Sequence, residues 1–244
     1  MQIDEFLELI HKRRSTRRIK PDPIPDEWVQ KILEAGRWAM SGGNGQPWEF
    51  IVVKSQETKN EMATTWAEIK PESDAIEMTR VEELRHPFAS HPYTIPPFKD
   101  APVLIVVLGD RRTYQATVAS SNFLTGEGGL GATYLKNMAN ATQNMHLAAA
   151  ALGLGSQWLS VTRPWEYALR QILQVPIMLE IHSVVVVGYA AYDPPPPYRR
   201  ELNEIVHYEK YDMEKYRTGK DVIEWLHTSR QSIRKADGAA YNKK

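Results

Sequence analysis

Near its N-terminus the chain carries Lys12-Arg13-Arg14-Ser15-Thr16-Arg17-Arg18, in which arginines sit beside hydroxyls. A guanidinium fork pairs two phosphate oxygens at once, and a hydroxyl adds a short donor. Each such charge-assisted bond contributes about 1.5–3 kcal/mol. A charge run is also what a solvated face looks like, so this one needs further walls to make a pocket. Arg199 and Arg200, behind the stiff stretch Pro194–Pro197, could supply one from the far end of the chain.

A second group is Ser41-Gly42-Gly43-Asn44-Gly45-Gln46-Pro47-Trp48-Glu49-Phe50. A helix-to-strand turn needs a glycine or two, but not Asn44 and Gln46 ahead of Pro-Trp. Carboxamides both donate and accept, which suits the edge of a heterocycle. A third is the helix containing Gln143-Asn144-Met145-His146, which ends at Gly153-Leu154-Gly155-Ser156. Its small residues suit close helix packing. His146, beside apolar neighbours, reads as a core histidine with its hydrogen bonds met. The terminal glycines could bring backbone N–H groups close to a ligand. No Asp/His or Ser/His constellation suggests a side-chain acid–base pair.

Composition narrows the chemistry. The 244 residues are 42% hydrophobic and 25% charged, ordinary for a globular protein with a sizeable core. Lys+Arg and Asp+Glu both total 30, so the phosphate-neutralising excess of a nucleic-acid binder is missing. Without cysteine there is no thiol nucleophile, thiolate metal site or iron–sulfur cluster, so any redox chemistry needs a bound cofactor. The polar start Met1-Gln2-Ile3-Asp4-Glu5 is unlike a signal peptide, and no apolar run reaches membrane-spanning length, which makes the cytoplasm the expected location. Gly126-Glu127-Gly128-Gly129-Leu130-Gly131 fits G-x-G-x-x-G literally, but it follows no strand directly and no acid stands at the right distance beyond it. The sequon Asn140-Ala141-Thr142 falls within a helix.

The elements that must position these groups follow from periodicity and breakers. Asp4 to Lys12 reads as a short amphipathic helix. After Pro21, Pro23 and Pro25, Asp26 is placed to cap a helix reaching Ala39, with Val29, Ile32, Leu33 and Trp38 inward. Glu49 to Val53 is a strand, and a polar helix follows to about Lys70. Residues 71–99 read as a lid or irregular excursion. Ala101 to Gly109 is a central buried strand. Arg111 to Thr133 is irregular, and Tyr134 to Leu152 is a strong helix. Ser156 to Val161 is a strand, Pro164 opens a helix, and Ile181 to Gly188 is a third buried strand. Asp212 to Lys235 is a polar helical tail. Alternating helices and strands make the class α/β or α+β.

The four groups, in this order, resemble the FMN-dependent nitroreductase family. Its members typically show Arg-Arg-Ser-x-Arg after the first helix and a Ser-x-x-Asn-x-Gln-Pro-Trp-x-Phe loop. They also show a Gln-Asn helix ending Gly-Leu-Gly-Ser, and often an Arg-Lys-Pro-Leu-like stretch near the C-terminus. The likeness spans about residues 4 to 207. Met40 and Glu201 stand where prolines are usual, and segments 71–99 and 110–133 match no known subfamily pattern.

The resemblance implies an α+β three-layer sandwich with a mostly antiparallel central sheet flanked by helices, dimeric, with FMN at the subunit interface. Residues 1–207 would form the FMN-binding domain, and 208–244 a C-terminal helical extension acting as an oligomerisation arm. Arg13, Arg14, Ser15 and Arg17 would hold the FMN phosphate and ribityl chain, joined by Arg199 or Arg200. Ser41, Asn44 and Gln46 would approach the flavin, commonly from the partner subunit. Leu159, Ser160 and Val161 would lie along its ring. NADH or NADPH would donate hydride to FMN in a ping-pong cycle, with nitroaromatics, quinones or related conjugated molecules as acceptors. No metal, nucleic acid or membrane is implied. Reductive dehalogenation of halogenated phenols, or FMN binding without catalysis, are the alternatives within the fold.

Overall fold

The computed structural model of the chain describes residues 2–82, 85, 96–113 and 130–229. The chain divides into two compact units, Met1–Ile69 with Ile95–Ala191, and Lys70–Thr94 with Tyr192–Lys244.

The first unit is built on a four-stranded antiparallel sheet of β1 (Trp48–Val53), β2 (Val103–Asp110), β3 (Gly155–Ser160) and β4 (Leu179–Gly188), in the order β1-β2-β4-β3. In β2, Val103 to Gly109 are all buried because both faces of the sheet are covered, which is why its sequence is a continuous apolar run. Alternate residues divide between two cores. Val103, Ile105 and Val107, with Val185 and Val187, meet α2 (Asp26–Arg37) and α4 (Leu130–Ala151). Leu104, Val106 and Leu108, with Val184 and Val186, meet α3 (Gln56–Met78) and α5 (Arg163–Ile172). The result is the expected α+β three-layer sandwich. α1 (Ile3–Lys12) precedes it.

The helices meet the sheet through helical spacing. On α4, Tyr134, Met138, Ala141, Met145 and Ala149 are buried, three or four residues apart. On α5, Trp165 is buried and its indole N–H donates to the Met62 carbonyl of α3 at 3.1 Å. Arg170 joins Glu166 at 3.0 Å and donates to the Leu179 carbonyl at 2.8 Å, tying α5 to the start of β4.

Several boundaries differ from the sequence expectations. Asp26 is the first residue of α2 rather than its cap, and its carboxylate pairs with Lys54 instead. α2 stops at Arg37, leaving Trp38 73% exposed rather than inward, with its indole N–H on Glu34. α3 runs through Pro71 to Met78. A mid-helix proline costs about 3 kcal/mol, but helix-compatible residues follow, and Lys70 pairs with Asp74 across the break. α4 begins at Leu130, a turn earlier than expected. Much of the expected irregular segments, residues 86–95 and 114–129, lies outside the described residues.

In the second unit, α6 (Leu202–Ile205) follows the proline stretch, and a helix spans 219–229. Thr218 caps that helix with Asp221, its backbone N–H donating to the carboxylate at 2.7 Å. Among the described residues of the expected tail, a 3-10 turn at Met213–Lys215 precedes that helix, and the part beyond 229 lies outside them.

Where β2 meets β4, the register slips. Val107 faces Ser183, but Leu108 faces Ile181, so His182 is left over as a bulge. Its Nε2 meets the Tyr134 hydroxyl of α4 at 3.0 Å, directly over Gly109. A Cβ on Gly109 would lie 2.2 Å from that hydroxyl oxygen. We predict that Gly109→Ala destabilises the protein by roughly 1–3 kcal/mol, as overpacking does. Tyr134→Phe added to it should recover part of the loss in chemical denaturation. Strictly additive losses would show that the hydroxyl does not occupy that space.

Candidate functional site

The basic segment is fastened to the sheet where β3 begins. Past the end of α1, Ser15 forms a parallel bridge to Ser156, and the Thr16 N–H donates to the Ser156 carbonyl at 2.8 Å. The chain continues beside the end of β4, with the Lys20 N–H on the Tyr189 carbonyl at 2.8 Å and the Ala191 N–H on the Arg18 carbonyl at 3.0 Å. Gly155 permits this approach. A Cβ there would sit 2.8 Å from Thr16 Cγ2 and 2.9 Å from its Oγ1. Gly155, one of the glycines that end the helix motif, brings the basic segment to the strand. Thr16 is buried by the contact, Ser15 is exposed, and Arg13, Arg14 and Arg17 are half-buried. Lys12 pairs with Glu8 in solvent, while Arg18 is half-buried.

Behind the segment sits His146. Its Nδ1 lies 2.7 Å from Ser156 Oγ, and Trp158 of β3 stacks on its ring at 6.0 Å between centroids. Its other nitrogen, Nε2, is buried with no hydrogen-bond partner among the described residues. His146 is therefore buried as expected, but only half satisfied. Burial, reinforced by the Arg13 guanidinium, pushes the imidazole down to about 4.

Leu159 and Ser160 lie further along the same strand, with Val161 just past it. From Ser156 to Ser160 the strand advances ~13 Å, at ~3.3 Å per residue. Leu159 and Val161 lean on the α3/α5 core, and Ser160 is exposed. A basic end and a partly apolar end therefore lie along one edge of the sheet.

The loop with Ser41, Asn44 and Gln46 leads into β1, the opposite edge strand, which lies roughly 14 Å from β3 across three strand spacings. It is closely bonded within itself and to α4. Gly43, Asn44 and Gln46 all have positive φ, at 58°, 53° and 42°. Left-handed backbone is costly for residues other than glycine, and local bonds hold it. The Gln46 N–H donates to Ser41 Oγ at 3.1 Å, and its carboxamide donates to the Asn44 carbonyl at 3.3 Å. From α4, Asn137 accepts the Gly42 N–H at 3.3 Å, and Asn140 donates to the Met40 carbonyl at 3.2 Å. Asn144 donates to the Ala35 carbonyl at the end of α2. Asn137, Asn140 and Asn144 form a carboxamide stripe at helical spacing; in the sequence Asn144 stood in the Gln-Asn motif, Asn140 only in a sequon, and Asn137 in neither.

Arg199 and Arg200 belong to the second unit. Arg199 donates to the Tyr198 carbonyl at 2.9 Å, and Arg200 to the Glu204 carbonyl at 2.8 Å. Arg200 also lines an open cavity of about 390 Å³ with Glu204, Lys215, Arg217 and Trp225. Among the described residues, no helix is long and apolar enough to cross a membrane.

The buried imidazole makes stability depend on pH. Its folded-state value lies below its ordinary 6.5, so the unfolded chain takes the proton first as pH falls. The stability is complete above pH 6.5 and is lost as pH drops toward about 4. We predict that His146→Leu flattens the denaturation free energy in that window by up to roughly 3 kcal/mol. Equal slopes in the two proteins would refute this.

The chain and its fold have counterparts among known proteins. The sequence pattern of the Nitroreductase family matches residues 10–189. A protein of Archaeoglobus fulgidus named as an NADH dehydrogenase/NAD(P)H nitroreductase is 30% identical over 191 residues, covering 77% of this chain and 86% of that one. Iodotyrosine deiodinase 1 of Rattus norvegicus is 40% identical over 62 residues, 25% of this chain and 22% of its own. The crystal structure of a Parabacteroides distasonis protein, also named as an NADH dehydrogenase/NAD(P)H nitroreductase, superimposes with a TM-score of 0.60 at 27% identity. It covers 85% of this chain and 99% of the other. The docked basic segment, the strained carboxamide loop and the three-layer sandwich are thus those of a chain that belongs to the nitroreductase family.

Proposed function

We propose that the protein is an FMN-dependent NAD(P)H oxidoreductase that reduces nitroaromatic, quinone or related conjugated acceptors, donor and acceptor visiting one site in turn. The observation that carries this reading is the docking of Arg13–Arg17 onto the glycine end of β3, with a partly apolar stretch further along the same strand.

The donor set fits FMN. Guanidinium groups of Arg13, Arg14 and Arg17 and the exposed Ser15 hydroxyl suit a phosphate dianion. The unpartnered nitrogen of His146 behind them is what a site built around a polar ligand leaves. Leu159, Ser160 and Val161 suit a flat ring. FMN, when bound, supplies the electron carrier that a chain without cysteine lacks, taking hydride from NAD(P)H and passing electrons on.

The chain's own task is to bind, orient and exclude water. Ser41, Asn44 and Gln46 lie at the other edge of their own sheet. That supports a homodimer in which each protomer lends its loop to the partner's site, the segment from 208 onward acting as an arm. The strain held in the loop presets its carboxamides, so their ordering cost is met in folding rather than binding. A second reading, reductive dehalogenation of halogenated phenols, draws support from the stretch shared with the rat deiodinase.

We predict that protein reconstituted with FMN bleaches in the visible on anaerobic addition of NADH or NADPH and regains its colour with a nitroarene or quinone. Turnover confined to halophenols would select the second reading. A bound flavin that no nicotinamide reduces would remove both.

A further inference from the structure

His146 has no place in the chemistry proposed above, yet it is 4% exposed and sits immediately behind the basic segment. One nitrogen is engaged by Ser156, the residue whose carbonyl holds Thr16 and whose backbone bridges Ser15. The other is buried and unpartnered among the described residues. A buried polar group left unpaired costs free energy. Its retention beside a cradle for anions suggests that its satisfied state is the ligand-bound one.

The surroundings admit a second charge state. From β3, the ring meets Ser156 and Trp158, neither of which carries charge. From beyond α1, the Arg13 guanidinium sets a positive field that disfavours protonation. α2 meets this stretch of α4 through Gly36 against Met145 and the Ala35 carbonyl on Asn144. The Ser156 hydroxyl can rotate, donating to a neutral Nδ1 or accepting from a protonated one. The 2.7 Å contact therefore survives either state. Trp158, stacked at 18° to the imidazole, offers a ring face to a cation.

We propose that His146 is the charge sensor of the cradle: neutral when the cradle is empty, it takes up a proton from solvent when a phosphate monoester dianion settles on Arg13, Ser15 and Arg17. The dianion offsets the Arg13 field and reverses its sign at the ring. Binding and protonation become one linked event, and the protonated imidazole adds a positive charge behind the phosphate. Acid favours retention of the ligand over this range, against the phosphate's own second ionisation near pH ~6, which releases protons on binding. The proposal rests on the FMN reading and deepens it.

Calorimetric titration of the ligand-free protein with FMN, at pH 7 in buffers of different ionisation enthalpy, counts the protons exchanged. Wild type should take up a sizeable fraction of a proton per FMN. It should take up none with riboflavin, which lacks the phosphate, and His146→Gln should take up none with FMN. Equal uptake in wild type and His146→Gln, or none in wild type, would overturn the proposal. If wild type bound no FMN, the flavin reading would fall instead, and the same count with inorganic phosphate would still judge the sensor. If His146→Gln does not fold, an NMR titration of His146 in wild type decides. Its midpoint should rise when FMN is added, and an unchanged midpoint would refute the proposal.

Discussion

A hydrogen bond of 2.8 Å from the Thr16 N–H to the Ser156 carbonyl joins the basic N-terminal segment to the edge of the sheet. It forms only because Gly155, next in line, has no side chain to meet Thr16. Buried Ile19, bridged to Ala190 beside β4, holds the rest of the segment down. The segment that carries Arg13, Arg14 and Arg17 is thereby held in one place on the sheet. The same bond sets Ser156 for His146, so the buried imidazole and the basic cluster share one anchor.

The carboxamide loop keeps a strained backbone through hydrogen bonds rather than charge. Asn44 and Gln46 adopt backbone angles that side-chain-bearing residues avoid. They keep them because Ser41, Asn137 and Asn140 bind the loop from inside and from α4. α4 therefore serves both ends: one turn set braces the loop, and His146 further along braces the cradle. The bulge at His182 and its contact with Tyr134 settle the register of the sheet beneath.

Much of this could be read from the chain. The buried strands of β2 and β4 were visible as apolar runs because both their faces are covered, and the glycine stop after α4 as Gly153 with φ of 73°. The basic cluster and the carboxamide loop stood out because a turn needs neither Asn44 nor Gln46, and arginines beside hydroxyls suit an anion. Other features stayed hidden for physical reasons. Trp38 obeys the helical period on paper, but α2 ends a residue before it. Pro71 breaks helices in isolation, but here the residues after it keep the helix going. That Thr16, rather than an arginine, is the buried member of the cluster depends on a partner 140 residues away. The half-satisfied state of His146 is set by packing as well: the sequence shows its apolar neighbours but not the orphaned nitrogen.

The central claim is that the cluster recognises a phosphate and not merely a flavin ring. Comparing FMN and riboflavin affinities by fluorescence titration tests it most directly. With at least two charge-assisted bonds of about 1.5–3 kcal/mol each, FMN should bind at least ~100-fold tighter. That preference should collapse when Arg13 and Arg17 are both replaced by alanine. Equal affinities for the two flavins in the wild-type protein would contradict the account.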